Sequence, residues 1–269
     1  MGRSRSPLAR PAAPAPNATL VRRHDLTPTI AHLWIAPDEG MPAFVPGQYF
    51  ALGLPDGERI LQRPYSTASP AAERTELEFL VRLVSHGTFT PRLWAVPIGG
   101  RLRIGRPKGL FAERPDDGCA RLLLATGTGL APFVSMLRTM KAEDPDASAH
   151  RATVLAHGVS RISEAAYRNE LREWAEGRPG RTYLPVVSRP GHPDNAGWAG
   201  PSGRLVAVLD SICEAHALSP RDTVVYLCGN PEMIAACTVR LMSRGFPQDR
   251  LISEQYWTQR GVLDAATGS

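Results

Sequence analysis

The hydrophobic pattern of this chain changes character near residue 116, and that change limits the folds open to it. Upstream, short alternating apolar runs are separated by Pro/Gly joints at Pro46-Gly47, Pro55-Asp56-Gly57, Gly99-Gly100 and Pro107-Lys108-Gly109. The expected strands are Ala18–Arg23, Ile30–Ala36, Tyr49–Leu54, Arg63–Ser69, Leu77–Val84 and Arg101–Arg106, with one helix at Thr90–Val96. Regularly spaced short strands predict an antiparallel β-barrel or sandwich. Downstream, apolar strands alternate with helices: Ala120–Ala125, Pro132–Lys141, Ala152–His157, Glu164–Ala175, Thr182–Val187, Arg204–Glu214, Thr223–Leu227, Glu232–Ser243 and Arg250–Ser253. That alternation predicts an α/β, doubly wound parallel sheet covered on both faces. A length of 269 residues suits two ordinary domains. The expected division is a tail at 1–16, a barrel at 17–115, an α/β domain at 116–257 and an extension at 258–269.

Composition narrows the class. Residues 1–16 are rich in Pro, Ala and Arg, lack an apolar period and read as a disordered tail. They lack the apolar centre of a secretory signal; an Arg-rich, acid-free start also fits an organellar transit segment, but without its amphipathic period. No window approaches the ~20 apolar residues of a membrane span. The cysteines Cys119, Cys213, Cys228 and Cys237 show no CxxC spacing, which argues against a zinc ribbon or a plant-type iron–sulfur cluster and leaves no metal site to expect. Reduced thiols fit a cytoplasmic protein. The net charge of +5 suggests an acidic partner. No basic stripe is interleaved with aromatics, so nucleic acid is not expected. The chain is expected to be a monomer.

Chemistry concentrates in Gln62–Ser69. A strand there sets Arg63, Tyr65 and Thr67 on one face and Pro64 and Ser66 on the other. Arg63 brings a planar fork of donors suited to phosphate, Tyr65 a flat amphipathic face, and Ser66 a short-range hydroxyl. A large aromatic cofactor with a pyrophosphate tail needs these groups, although an ordinary barrel strand could also carry them. Further on, Gly87-Thr88-Phe89-Thr90 precedes a helix and offers free N–H groups to an anion, or is a loop with an N-cap at Thr90. Thr126-Gly127-Thr128-Gly129, followed by Leu130-Ala131-Pro132, ends the first strand of the second half and opens its helix. Its glycines let backbone approach a ligand closely, and Pro132 suits the first helical position. It is not GxGxxG, because Pro132 stands where the third Gly would be.

The segment Arg63-Pro64-Tyr65-Ser66 resembles the RxYS flavin motif of the ferredoxin–NADP reductase family. The resemblance runs from about Ala18 to Trp257, with the motifs in the family's order. It implies that Arg63 binds the FAD pyrophosphate, that Tyr65 packs on the isoalloxazine and that Ser66 lies near flavin N5. Gly87 and Thr90 match a second pyrophosphate contact. Thr126, Gly127, Thr128 and Gly129 resemble the NADP pyrophosphate loop. Ser188 and Arg189 match the 2′-phosphate motif, where a Rossmann-type NAD enzyme would place an acid, and Arg204 resembles its second basic contact. Cys228-Gly229-Asn230 matches the family's CGN turn, with Cys228 beside the nicotinamide. Glu254 resembles the acid that shares a proton path with the Ser. Tyr256 and Trp257 resemble the terminal aromatics that stack on the flavin and approach the adenine, although here the chain continues to Ser269. The implied function is an FAD-dependent oxidoreductase that passes electrons between NADP(H) and ferredoxin or flavodoxin. Two alternatives stand beside it: an NADH-dependent cytochrome b5-type reductase, and a flavin-binding redox module with little turnover.

Overall fold

The computed structural model describes residues 15–114, 118–143 and 152–256. Trp257, the expected extension and nearly all of the expected tail lie outside them.

The first half folds into six strands and one short helix: β1 (Ala18–Thr27), β2 (Ile30–Pro37), β3 (Tyr49–Asp56), β4 (Arg59–Ser66), β5 (Leu77–Arg82), α1 (Thr90–Trp94) and β6 (Arg101–Ile104). The order is β4-β3-β6-β1-β2-β5, with every pairing antiparallel. A bridge between Thr67 and Phe79 joins the end of β4 to β5 and closes the barrel. Its core includes Leu20, Leu33, Ile35, Phe50, Leu52, Phe79 and Leu102, all buried. Each such side chain stabilises the fold by about 1.5–3 kcal/mol relative to exposure.

The motif strand runs over Arg59–Ser66 rather than Arg63–Ser69. Asp56 pairs with Arg59, so Gly57-Glu58 is a two-residue hairpin turn, and Gly57 takes φ +61°. That conformation favours glycine and starts β4 early. The strand ends at Ser66 because the Thr67 hydroxyl donates to Glu78 O (3.0 Å) and accepts from Ser69 N (3.1 Å), turning the chain. Pro64, with no N–H to donate, is tolerated because β4 has a ladder neighbour, β3, on one side only. β5 stops at Arg82 rather than Val84, since Val84 N donates to the Thr90 hydroxyl at 2.9 Å. Thr90 is therefore not the N-cap of α1; Phe89 holds that position and Thr90 is the first helical residue.

The second half comprises β7 (Ala120–Thr126), α2 (Ala131–Glu143), β8 (Thr153–Val159), α3 (Arg168–Ala175), β9 (Arg181–Val187), α4 (Leu205–Ala215), β10 (Thr223–Gly229), α5 (Pro231–Ser243) and β11 (Leu251–Gln255). All five strands are parallel in the order β11-β10-β7-β8-β9. Near-continuous apolar strands such as Leu122–Ala125 are explained by cover on both faces. Helices α2 and α3 share one buried cluster with the sheet, and α4 and α5 share the other. Helix α2 begins at Ala131, one residue before Pro132, after a 3-10 turn at Gly127–Leu130. Arg204 stands at the N-cap position of α4, just before its first turn and without a side-chain capping bond, and Pro231 opens α5.

The halves share a core, in which Ile30, Ala68, Leu80 and Phe111 of the barrel pack with Leu130, Ala131 and Phe133 of the α/β domain. Beside it lies a buried polar cluster. The Arg138 guanidinium binds Glu170 through two bonds (2.7 and 2.8 Å), Glu78 at 2.7 Å and Ala68 O at 2.9 Å. Glu78 also accepts from Tyr167 Oη (2.8 Å) and pairs with His32 Nδ1 at 3.0 Å.

Candidate functional site

The sheet order reverses between β7 and β10, the switch point where open α/β sheets take ligands beyond the strands' carboxyl ends. Two turns meet there with almost no space between them. A Cβ on Gly129 would lie 2.5 Å from Cys228 O and 2.6 Å from Gly229 Cα; one on Gly229 (φ +128°) would lie 2.3 Å from Thr126 Oγ1. Two bare backbones are therefore a steric requirement. Asn230 N donates to the Thr126 hydroxyl at 2.9 Å. The Asn230 side chain caps α5, accepting from Glu232 N (2.7 Å) and Met233 N (3.2 Å). Behind the first turn, His157 Nε2 meets Gly127 O at 3.0 Å, so that nitrogen carries the proton and donates. Burial pushes the ring's pKa down to about 4; the Gly127 bond opposes this shift and the nearby Arg82 charge adds to it. His157 is therefore a neutral strut for the turn.

The barrel reaches the same place. Ser66, the last residue of β4, donates from Oγ to Glu254 Oε1 at 2.9 Å across 188 residues of sequence. Glu254 is set by β11, where it sits beside Cys228 in the parallel register. Burial raises the Glu254 carboxyl above its ordinary range, while the Ser66 bond pulls the other way. Cys228 is fully buried, and its thiol is held well above its usual pKa by burial and then by the Glu254 charge, so it is a neutral wall group. The backbone of Tyr256 is fixed by its N–H on Gly229 O at 2.9 Å. Its hydroxyl is buried beside Ser66 and Cys228 but makes no well-formed hydrogen bond among the described residues. Tyr65 is half-buried with its ring 5.9 Å from Phe89, and burial raises its phenol. Arg63 is exposed and donates only to Gln62 O (2.7 Å) among the described residues, so its fork is available to an anion. The Thr90 hydroxyl is already spent on Val84, donating to its O at 3.2 Å, so the polar surface near Gly87 is backbone and the exposed side chains of Ser85, His86 and Thr88.

At the far edge, Pro201–Gly203 runs along the end of β9: Val187 N donates to Pro201 O (3.1 Å) and Gly203 N to Val187 O (2.9 Å). This brings Arg204 beside Ser188 and Arg189, both arginines being exposed. The Ser188 hydroxyl turns inward and donates to Val159 O at 3.1 Å.

This arrangement of an antiparallel barrel against a parallel sheet, with a hydroxyl–carboxylate pair at their junction, defines a two-domain reductase. Residues 18–112 match the oxidoreductase FAD-binding domain family, and residues 123–238 match the oxidoreductase NAD-binding domain family. Ferredoxin–NADP reductase A of Sorangium cellulosum is 32% identical over 76% of this chain and 75% of its own. The anthranilate 1,2-dioxygenase electron transfer component of Acinetobacter baylyi is 29% identical over 86% of this chain, which spans only 63% of that protein. A ferredoxin–NADP reductase of Neisseria gonorrhoeae, solved with FAD and NADP, superposes with a TM-score of 0.76 at 25% identity, covering 90% of this chain and 98% of that one. The chain belongs to the ferredoxin–NADP reductase family. It is an oxidoreductase with one domain for FAD and one for a pyridine nucleotide.

The residues present fit those groups: an exposed Arg63 with no acidic partner among the described residues for a pyrophosphate, paired bare turns for a second one, and Tyr256 with its buried hydroxyl beside Ser66 at the junction. Sequence reasoning missed Arg82, whose guanidinium lies near Gly127 and binds the 4%-exposed Glu164 at 2.9 Å. It also missed Glu78, although a single acid inside the apolar run Leu77–Val81 was a visible signal. Ser66→Ala and Glu254→Gln should each slow bleaching of the flavin by NADPH about ten- to hundredfold, with little change in NADPH affinity. Stopped-flow rates unchanged in both variants would remove the pair from the reacting centre.

Proposed function

We propose that this chain passes electrons between NADPH and a small one-electron carrier, ferredoxin or flavodoxin, with FAD as the intermediate store. The observation that carries the reading is the Ser66–Glu254 bond at 2.9 Å, made where the barrel strand and the switch-point turns converge. A bound FAD supplies the conversion of a two-electron hydride into single electrons. The protein holds its tail with Arg63, its ring against Tyr65 and Tyr256, and a proton at Ser66 and Glu254. Trp257 is assigned to the adenine by resemblance alone.

Two surfaces support the finer parts of the reading. Arg189 and Arg204 stand exposed at the end of β9, where a 2′-phosphate with roughly two negative charges would be met by two guanidiniums. Leu110 is 98% exposed and Val45 51%, on loops tied by Gln48, which accepts from Val45 N (3.0 Å) and donates to Gly109 O (3.3 Å). Gly109 lies against Tyr49 and close to the Glu254 carboxylate, so this apolar tip stands next to the junction, with Arg106 and Lys108 exposed beside it. An apolar tip ringed by positive charge suits an acidic carrier.

The test is kinetic. Arg189→Ala with Arg204→Ala should raise the KM for NADPH about ten- to hundredfold, leave NADH nearly untouched and change kcat little. Reduction of an acidic ferredoxin should slow as salt screens the steering charge. Parallel weakening of NADPH and NADH would overturn the NADP assignment, and a rate flat with salt would overturn the acidic carrier.

A further inference from the structure

One buried side-chain amide joins the loops that leave β8 and β9. Asn195 is 3% exposed and ends a short 3-10 turn, Pro193–Asn195. Its Oδ1 accepts from Ile162 N at 2.8 Å, and its Nδ2 donates to Ser160 O at 3.1 Å and to Arg189 O at 2.7 Å. Both amide hydrogens and the carbonyl are thus used. The flipped orientation would set Nδ2 against the Ile162 N–H and Oδ1 against two carbonyls, so chemistry fixes which way the amide points. Its own backbone is held as well, with Asn195 N on His192 O (2.8 Å) and Trp198 N on Asn195 O (3.0 Å).

These bonds act on residues with little other support. Arg189, Pro190 and Gly191 are all exposed, and nothing stands within 4 Å of a Cβ placed on Gly191. The Arg189 carbonyl also accepts from His192 N at 3.0 Å within its own loop, and Ser188 N donates to Val159 O at 2.8 Å. Among the described residues, however, the Asn195 amide is the side-chain tether that reaches from Arg189 back to the loop carrying Arg161. Arg161 is itself engaged, binding Glu164 at 2.8 and 2.9 Å and Asp194 at 3.4 Å. Asp194 is thereby drawn to Arg161, and Arg189 has no acidic partner among the described residues.

We infer that Asn195 is a positioning residue for nucleotide choice: it holds the Arg189 backbone so that the guanidinium is ready for a 2′-phosphate. This rests on the NADP reading above. A charged hydrogen bond is effective only when its donor is already in place; a loop that must be ordered on binding loses affinity. That loss falls on a ligand that uses Arg189 and spares one that does not.

The experiment is calorimetric titration of the FAD-loaded protein with 2′,5′-ADP and with 5′-AMP, which differ only by the 2′-phosphate. Wild type, Asn195→Ala, Arg189→Ala and the double variant are compared. Asn195→Ala should weaken 2′,5′-ADP about tenfold, leave 5′-AMP within about twofold and add nothing once Arg189 is gone, because the two act as one unit. Asn195→Ser keeps a polar group in the slot but cannot span both loops; it serves if the Ala variant does not fold and should show the same selectivity. Equal weakening of both ligands, or full additivity with Arg189→Ala, overturns the positioning role while leaving the NADP reading intact. If Arg189→Ala binds 2′,5′-ADP as wild type does, the NADP reading falls and this inference falls with it.

Discussion

Arg138→Ala should destabilise the protein by about 2–4 kcal/mol and loosen the barrel from the α/β domain. Truncation removes the cation from Glu78, whose side chain is only 9% exposed, and from the half-exposed Glu170. Breaking a buried pair from one side typically costs about 3–5 kcal/mol. The lower figure applies because Arg138 is 24% exposed and Glu78 keeps its bonds to Tyr167 and His32. The melting temperature should fall by about 5–10 °C for a chain of this size. pH provides an independent reading. Burial pushes the Glu78 carboxyl up, but the bonds from His32, Arg138 and Tyr167 more than reverse this and hold it at about 2, against an ordinary 4.5. A carboxyl lowered in the folded state binds its proton more weakly there than in the unfolded chain. Its contribution is therefore complete above pH 4.5 and is lost as the pH falls from about 4.5 towards 2. Glu78→Gln should flatten that part of the stability–pH curve. Denaturation at pH 7 and pH 3 checks both variants, and an Arg138→Ala protein as stable as wild type at pH 7 would show that the cluster does not hold the domains.

Gly129→Ala should weaken productive nucleotide binding about a hundredfold while leaving FAD in place. The added methyl would fall 2.5 Å from Cys228 O, 2.6 Å from Gly229 Cα and 2.7 Å from Cys228 C. All three are backbone atoms, so no side chain can swing aside. The two turns must separate, which removes the Asn230 N bond to Thr126 and shifts the backbone of the turns proposed to take the nucleotide. A shift of about 1 Å at such a site can cost about a hundredfold. Titration with NADP+ should show that loss, and the yellow colour should survive gel filtration because the clash lies outside the barrel. NADP+ affinity equal to wild type would mean that the turns yield and that the close approach has no function.

Much of this protein could be read before its structure. The change from barrel to α/β pattern near residue 116 was legible, because buried parallel strands are apolar throughout whereas barrel strands alternate. The turns at Thr126–Gly129 and Cys228–Asn230 were visible because strand ends and glycines are local features. Element ends were less legible: β4 was expected four residues late at its start and three at its end, the end because the Thr67 hydroxyl that stops it binds a partner on another strand. Neither reading of the Thr90 hydroxyl, as a pyrophosphate contact or as a cap, was complete without the structure, in which Val84 claims it.

The sequence alone determined the two-domain order, the strand–turn–helix positions of the motifs and the chemistry each could offer, since periodicity, glycine freedom and proline's missing donor act within a few residues. The tertiary structure decided which groups meet. Ser66 and Glu254 are 188 positions apart, and Glu78 finds Tyr167 across 89. A charged or amide side chain carries no local mark of the partner that satisfies it. That partner is chosen when two domains close and a buried polar group is costly without a bond, as Glu78, Arg138 and Asn195 find theirs here.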